Sequence, residues 1–267
     1  MNTIRVLDLN IWNYNEPWPV RRDLIRSLIA DSNPDIVALQ EVRFQDSAHD
    51  RRHQADQILD GLAGYTAVWH PAHHWTAHPG EAQGKQWEGL AILSPHPIID
   101  QALTRLSRAS DDPRDTFQRL VLGAQVQTPA GPFWLYNTHY PLSGRARVRV
   151  AAESLAFIVE RAGDEPFAFT GDLNAEPQDL PIQYLTGQAE IDGRRGHLVD
   201  AWTACHSGEA GYTFSAWEPR KRIDYLFIPR SVQVHQIAVV GKASREGEVT
   251  PSDHCGLLAT LSIGGAG

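Results

Sequence analysis

The chain has 267 residues, a hydrophobic fraction of 42%, a charged fraction of 21% and a net charge of -8 at pH 7. This composition is ordinary for a globular protein, and the negative charge argues against long-range electrostatic capture of nucleic acid or of an anionic membrane. The two cysteines do not form a Cys-x-x-Cys motif, which excludes a disulfide scaffold. Without a signal-peptide pattern or an apolar run of about 18 residues, we expect a cytoplasmic protein with no membrane segment.

The first predicted elements are a strand, a helix and a second strand. Ile4–Leu9 alternates as a strand does, and Val20–Ala30 has apolar residues at helical spacing. Ile36–Leu39 is a short buried strand that ends at Gln40-Glu41. A second helix is predicted over Arg51–Leu62.

The same order of elements recurs in the middle of the chain. Phe133–Tyr136 is a predicted strand, Arg145–Arg161 a helix with one apolar face, and Phe167–Thr170 a second buried strand. A strand–helix–strand unit is normally a right-handed crossover, which brings both strand ends to one edge. Each strand ends at a polar residue. The two polar residues lie 31 positions apart in the first unit and 33 positions apart in the second. We therefore expect four polar groups at one rim of the sheet: Asn10, Glu41, His139 and Asp172.

The remaining segments are predicted strands and loops. The strands are short and apolar or alternating: Leu90–Leu93, Leu120–Val126, Ile223–Ile228, Val234–Val240 and Leu257–Leu261. The loops are His70–Trp87, interpreted as lying beside a substrate cleft, and Thr104–Asp115. The first loop contains His70, His73, His74 and His78, but no pair has the spacing that fixes a tetrahedral zinc site. Because no linker-like run divides the chain, we expect one domain over residues 1–267. We also expect a monomer.

Six polar motifs lie at the ends of these elements between positions 10 and 254. They are Leu9-Asn10, Leu39-Gln40-Glu41-Val42, Asn137-Thr138-His139, Gly171-Asp172-Leu173-Asn174, Arg222-Ile223-Asp224-Tyr225 and Ser252-Asp253-His254. Each alone is a common strand end or turn. Together, in this order, they resemble the endonuclease/exonuclease/phosphatase superfamily, which includes DNase I-like nucleases, neutral sphingomyelinases and tyrosyl-DNA phosphodiesterases. The resemblance spans the chain but does not select one member.

The resemblance implies an α/β fold, a four-layer αββα sandwich of two mixed β-sheets flanked by helices (DNase I-like). The residue types suit attack of water on a phosphate ester. Hard oxygen ligands suit Mg²⁺ or Mn²⁺, and such a cation relieves repulsion between carboxylates while it polarises a phosphoryl oxygen. We therefore predict a metal-dependent phosphodiesterase whose partner is a phosphoester substrate, with nucleic acid as one candidate.

The motifs supply residues for each part of this reaction. The predicted metal ligands are Glu41, Asn10 and Asp253, and Asp172 is the predicted general base. Asn174 is predicted to hold the attacking water or to donate to a phosphoryl oxygen.

Further roles follow only from the resemblance. It implies that His254 and His139 both face the phosphate. It also implies that His254 pairs with Asp224 and that His139 pairs with Glu88. It also marks Arg119 as a substrate contact.

Several alternatives stay open. Arg220-Lys221-Arg222, beside Trp217, could stack on and pair with a nucleotide or a headgroup, or could be a solvated loop; the predicted substrate contacts here are Trp217 and Arg220. The alternating Arg145, Arg147 and Arg149 could bind phosphate or form the solvent-exposed face of their helix. A small-molecule or lipid-headgroup phosphoesterase, or a non-catalytic phosphate-binding module of the same fold, is the alternative function.

Overall fold

The computed structural model describes residues 3–45, 52–76 and 85–263. The strands are β1 (Ile4–Asn10), β2 (Ile36–Gln45), β3 (Thr66–Thr76), β4 (Lys85–Ser94), β5 (Ile98–Arg105), β6 (Leu120–Thr128), β7 (Gly131–His139), β8 (Phe167–Asp172), β9 (Val199–Asp200), β10 (Asp224–Ile228), β11 (Val232–Val240) and β12 (Gly256–Ile263). The helices are α1 (Trp18–Ser32), α2 (Gln54–Leu59), α3 (Gly144–Ala162), α4 (Leu180–Leu185) and α5 (Ala201–Cys205). Within the described ranges, no helix is both long enough and apolar enough to cross a membrane.

The strands form two six-stranded mixed sheets, in the orders β11-β12-β1-β2-β4-β3 and β5-β6-β7-β8-β10-β9. Each sheet contains one parallel pair joined by a helix, β1 to β2 through α1 and β7 to β8 through α3. The other strand pairings in the described residues are antiparallel. The predicted strand–helix–strand repeat is therefore confirmed.

The core is layered because successive strand residues point to opposite faces of a sheet. On β2, Ile36 and Ala38 join a buried cluster that contains residues of both sheets, such as Leu135. Val37 and Leu39 point the other way and pack in a separate cluster with residues of α1 and α2. A third cluster lies between the second sheet and the helices α3 and α4. The predicted four-layer sandwich is thus confirmed.

The predicted loop His70–Trp87 is wrong in its described part. Residues 70–76 belong to β3 and residues 85–87 to β4, while residues 77–84, including His78, lie outside the described residues. β3 is an edge strand, and Pro71 precedes a break in its pairing with β4. Proline is tolerated in such positions, so it did not exclude a strand.

Two other boundaries differ from the sequence prediction. The predicted loop Thr104–Asp115 begins too early, because its first two residues complete β5, an edge strand with few buried side chains and hence a weak pattern. The predicted helix Arg51–Leu62 is α2, which is shorter and begins after His53, whose ring nitrogen accepts a hydrogen bond from Asp56 N at 3.2 Å. Arg51 lies outside the described residues.

Candidate active site

Polar residues from both sheets meet at the ends of the two parallel strand pairs. Asn10 is the last residue of β1, His139 the last of β7 and Asp172 the last of β8. Asn10 Nδ2 donates to Asp172 Oδ2 at 3.1 Å and to Glu41 Oε1 at 3.3 Å. One amide therefore joins the two sheets, and the structure brings the four predicted rim residues together.

Glu41 reaches the rim from a β-bulge. Leu39 pairs with Ala91 and Val42 with Gly89, so two residues of β2 oppose one residue of β4. Glu41 has a φ of 56°, which is costly for a residue with a side chain; bulges and such strained residues cluster next to active sites. The prediction that the strand ends at Gln40-Glu41 is wrong, because β2 continues past the bulge to Gln45.

Asp172 is fixed by a glycine before it and a turn after it. Gly171 has a φ of 141°, and a Cβ atom there would lie 2.0 Å from Thr138 O, so only glycine fits. Asp172 Oδ1 accepts a hydrogen bond from Asn174 N at 2.9 Å, and Asn174 Nδ2 donates to Tyr140 O at 3.1 Å. The turn holds one carboxylate oxygen and leaves Oδ2 facing the rim.

His254 stands between two buried carboxylates. Its Nδ1 lies 3.1 and 3.0 Å from the two carboxylate oxygens of Asp224, and its Nε2 lies 3.8 Å from Asp172 Oδ2. Burial lowers the pKa of His254, but Asp224 and Asp172 outweigh burial and raise it to about 10. The imidazole is therefore positively charged at neutral pH. The predicted His254–Asp224 pair is confirmed.

Asp172 titrates near neutrality. Burial raises its pKa to about 7; His254 opposes this rise, while Asp224 and Glu41 add to it. His139 Nε2 lies 3.4 Å from Asp172 Oδ2. Burial, aided by nearby cationic groups, holds the pKa of His139 well below its usual value, so this imidazole is neutral. Asp172, with a pKa near neutrality, is therefore suited to proton transfer at neutral pH.

The predicted His139–Glu88 pair is wrong. Glu88 pairs in register with Arg43 across β4 and β2, and it accepts a hydrogen bond from Arg43 Nε at 3.0 Å. Its other carboxylate oxygen lies 3.8 Å from His73 Nε2. Glu88 and His139 still share the wall of a small cavity of about 10 Å³, together with Arg119. Strand register places Arg43 opposite Glu88, and Arg43 takes the carboxylate.

The acidic residues around this rim fit a divalent cation. Burial and the repulsion of Glu41 raise the pKa of Asp253, although His254 lowers it, so the two carboxylates repel each other. Ligand atoms of Asp172, Asp224 and His254 also lie within 4.8 Å of one another, a group that could hold a metal ion. The motifs predicted catalytic roles for these three residues and not a shared metal site.

Asn10 is oriented as a donor and not as an oxygen ligand. Its Nδ2 faces the two carboxylates, and its Oδ1 accepts a hydrogen bond from Trp12 N at 3.0 Å. Rotation of the amide group would be needed to turn Oδ1 toward Glu41. In the described orientation Asn10 instead holds Glu41 and Asp172 together.

A cleft of about 880 Å³ is lined by several of the predicted site residues named above, among them Glu41, His139, Asp172, Asn174 and His254. Asn10, Asp224 and Asp253 are not among its lining residues. Arg119 is 8% exposed and lines this cleft, and its Nε has no hydrogen-bond partner among the described residues. Burial lowers the pKa of Arg119, and the carboxylates of Glu88 and Glu41 oppose that effect. A buried guanidinium beside this rim is suited to an anionic ligand.

The other two predicted substrate contacts lie outside the residues that line this cleft. Arg220 is exposed and forms an ion pair with Glu218, whereas its neighbour Lys221 lines the cleft. Trp217 is 44% exposed and packs edge-on against Trp12 at 5.8 Å.

Two cleft residues that were not predicted as site residues lie on β2 and β3, each beyond an irregularity in its strand's pairing with β4. Arg43 of β2 and His73 of β3 line the cleft together with Glu88. Their strand alternation was the available signal, but the segments were read as a strand end and a loop.

Comparisons with known proteins agree with this architecture. The sequence model of the Endonuclease/Exonuclease/phosphatase family matches residues 9–254. A putative neutral sphingomyelinase from Caenorhabditis elegans is 28% identical, over 97% of this chain and 67% of that protein. The endonuclease/exonuclease/phosphatase from Beutenbergia cavernae DSM 12333 has a TM-score of 0.81 at 23% identity, covering 100% of this chain and 73% of that one. D. rerio TDP2 complexed with single strand DNA product has a TM-score of 0.74 at 18% identity, covering 98% of this chain and 100% of that one. At these identities the structural likenesses concern the fold.

Proposed function

Because the chain belongs to the endonuclease/exonuclease/phosphatase family, we propose that it is a divalent-metal-dependent phosphodiesterase that cleaves a P–O bond by attack of water. The observation that carries the proposal is the amide of Asn10, which contacts Glu41 at 3.3 Å and Asp172 at 3.1 Å. Through this amide, Glu41, which is suited to bind a cation, lies beside Asp172, which is suited to proton transfer.

Glu41 and Asp253 are the proposed ligands of a Mg²⁺ or Mn²⁺ ion. When bound, the ion would supply Lewis-acid polarisation of a phosphoryl oxygen. Glu41 is oriented by Asn13, whose Nδ2 donates to Glu41 Oε2 at 2.9 Å. The mutual repulsion of the carboxylates supports this assignment, since a cation relieves it.

Asp172 is the proposed general base. Asp172 Oδ1 accepts from the Asn174 backbone N–H, while Oδ2 accepts from Asn10 and faces His139 and His254 at the rim. Oδ2 is therefore the atom proposed to take the proton from water. A pKa raised to about 7 matches this task, and general-base catalysis of this kind contributes about 10²–10⁴-fold.

The histidines and Arg119 are proposed to stabilise the phosphate. His254 is held by Asp224 through Nδ1, which leaves its Nε2–H to donate to a phosphoryl oxygen. The neutral His139 donates a hydrogen bond without adding charge beside the base, and Arg119 offers a buried cation to the same group.

The test is a phosphoester panel, assayed with Mg²⁺ or Mn²⁺ and with EDTA. The panel contains abasic and nicked DNA, single-stranded RNA, sphingomyelin and bis-p-nitrophenyl phosphate. We expect hydrolysis that EDTA abolishes and that Asp172→Ala reduces to near background, whereas Asp164→Ala, which alters an exposed carboxylate, retains it. A folded protein that hydrolyses no member of the panel would contradict the proposal and favour a phosphate-binding module.

A lipid-headgroup phosphoesterase is the second candidate. It is favoured by the 28% identity to the putative neutral sphingomyelinase. Sphingomyelin turnover that exceeds turnover of every nucleic acid in the panel would support this candidate.

A further inference from the structure

One end of the cleft carries two exposed apolar side chains. Phe117 lies in the segment between β5 and β6, and Leu142 lies between β7 and α3. Phe117 is 46% exposed and Leu142 58% exposed, and both line the cleft. Large apolar side chains that stay exposed inside a cleft typically mark a ligand contact.

Phe117 forms a backed aromatic surface. Its ring stacks on His73 with centroids 4.5 Å apart and an interplanar angle of 29°. Burial and nearby arginines lower the pKa of His73 to about 3, so the supporting imidazole is neutral. A half-exposed ring with one supported face is suited to stacking against a planar ligand, as bases stack on aromatic side chains in single-strand binding proteins.

Two arginines that line the same cleft converge on one backbone carbonyl group. Arg147 Nη1 and Arg114 Nη2 both donate to Leu142 O, at 2.9 and 3.5 Å, and both side chains line the cleft. Asp179 Oδ2 lies 3.8 Å from Arg147 Nη2, but no carboxylate among the described residues pairs with Arg114. An anionic group between the two guanidinium groups would relieve their mutual repulsion.

The charge balance limits the size of this anion. Glu176 and Asp179 line the same cleft. This end is therefore not a continuous basic groove that would follow a long polyanion. It favours a single anionic group held by Arg114 and Arg147.

The segment that carries Arg114 and Phe117 is tied to α3. Arg145 Nη2 lies 2.9 Å from Asp111 Oδ2, and Arg149 Nη2 lies 2.6 Å from Asp115 Oδ2. The alternating arginines thus divide, with the outer two tethering the segment and the middle one, Arg147, lining the cleft. Such tethers reduce the entropy that binding would otherwise cost.

We propose that this end of the cleft is a nucleotide subsite, in which Phe117 and Leu142 hold a base and Arg114 and Arg147 hold one phosphate next to the scissile phosphodiester. The inference rests on the proposed function and names its substrate class as short or terminal oligonucleotide segments.

The test uses five synthetic phosphodiesters. The first is methyl p-nitrophenyl phosphate, and the second is a dinucleotide with one internal phosphodiester. The third and fourth are the same dinucleotide with a terminal phosphate at one end or at the other. The fifth is the phosphorylated dinucleotide in which the unit beyond the scissile bond lacks its base. We expect kcat/KM to be about tenfold higher with the matching terminal phosphate and about tenfold lower when the base is removed, the range found for single contacts of these kinds.

Two variants assign the preferences to residues. Arg114→Ala should abolish the preference for the terminal phosphate. Phe117→Ala should abolish the preference for the base. The matched controls are Arg195→Ala, which removes an arginine paired on the surface with Glu190, and Tyr212→Ala, which removes an aromatic ring 45% exposed. Both controls should keep both preferences. The salt dependence gives a further readout, because one lost phosphate contact lowers the log–log slope by about 0.7 for a single strand.

The outcomes separate this inference from the proposed function. If methyl p-nitrophenyl phosphate is hydrolysed but all dinucleotides react equally, or if the preferences survive in Arg114→Ala and Phe117→Ala, the subsite is wrong while the phosphodiesterase stands. If no substrate is hydrolysed, titration calorimetry with the phosphorylated dinucleotide still decides. Binding that Arg114→Ala weakens and Arg114→Lys partly restores supports the subsite, and absence of binding overturns it.

Discussion

The two strand–helix–strand halves, β1–α1–β2 and β7–α3–β8, share one topology but deliver their acids differently. In the first half Asn10 pairs with Gln40, and the bulge that follows pushes Glu41 into the cleft. In the second half His139 pairs directly with Asp172, and Gly171 permits the close strand approach without a bulge.

This difference produces two kinds of carboxylate from one backbone plan. Glu41 stays partly exposed, whereas Asp172 is 2% exposed and burial raises its pKa to about 7. An accessible acid is suited to a cation and a buried acid to a proton. The comparison teaches that burial at the strand end, and not topology, assigns the roles proposed for the two halves.

The largest effect is expected from Asp172→Asn in the second half. The amide cannot take a proton, so kcat should fall by about 10²–10⁴-fold while the metal concentration for half-maximal activity stays within about twofold. Steady-state kinetics over a metal titration measures both quantities. A fall in metal affinity equal to the fall in kcat would break the proposed division of roles.

The pH profile tests the same acid. Asp172 must be ionised and His254 protonated, so kcat/KM should rise with pH through about 7 and fall through about 10, with a bound cation moving both midpoints lower. An ascending limb that persists unchanged in the residual activity of Asp172→Asn would contradict the assignment.

Glu41→Gln in the first half should act mainly on the metal. We expect the metal concentration for half-maximal activity to rise about 10–100-fold, with partial recovery of kcat at saturating metal, because a neutral amide is a weaker ligand. Arg43→Gln, which removes a cleft residue on the same strand, serves as the comparison. A loss that no metal concentration restores would place Glu41 in the chemical step.

Gly171→Ala should reveal how the second half avoids a bulge. The new Cβ would meet Thr138 O at 2.0 Å, so we expect a loss of roughly 2–3 kcal/mol in the free energy of unfolding. The control is Gly131→Ala, where φ is 113° but no atom lies within 4 Å of the added Cβ. Equal losses in denaturant titrations would show that φ strain, and not the strand contact, requires glycine.

The smallest effect is expected beneath the rim, where Asp8 and Asn137 occupy matching positions of the two halves. Gln40 Nε2 donates to both at 2.8 Å. Burial, with repulsion from Asp224, raises the pKa of Asp8. A carboxyl group with a raised folded-state pKa stabilises the native state most below its unfolded pKa, and that contribution is lost as pH rises.

Asp8→Asn should therefore stabilise the protein at pH 8, by on the order of 1 kcal/mol as is typical of single substitutions, with a gain that shrinks toward pH 4. Denaturant titrations in EDTA across this pH range measure the change. A destabilisation that does not depend on pH would instead show that the shape of the carboxyl group matters more than its proton.

The fold followed from local patterns to a large extent. Periodicity located α1, α3 and the central strands, and the polar ends at Asn10, His139 and Asp172 marked the rim. It failed at the edges, where β3 contains Pro71 and β5 buries few side chains. Edge strands lack one neighbour, so their sequences are less constrained and their signal is weaker.

The sequence by itself determined which residue types reach the rim, because strand alternation and strand ends are local properties. Only the tertiary structure decided their partners. Glu88 pairs with Arg43 and not with His139, because strand register brings Arg43 opposite it. Among three alternating arginines only Arg147 lines the cleft, while the other two pair with acids of the segment between β5 and β6. Contacts between residues far apart in sequence carry no local pattern, so packing alone selects them.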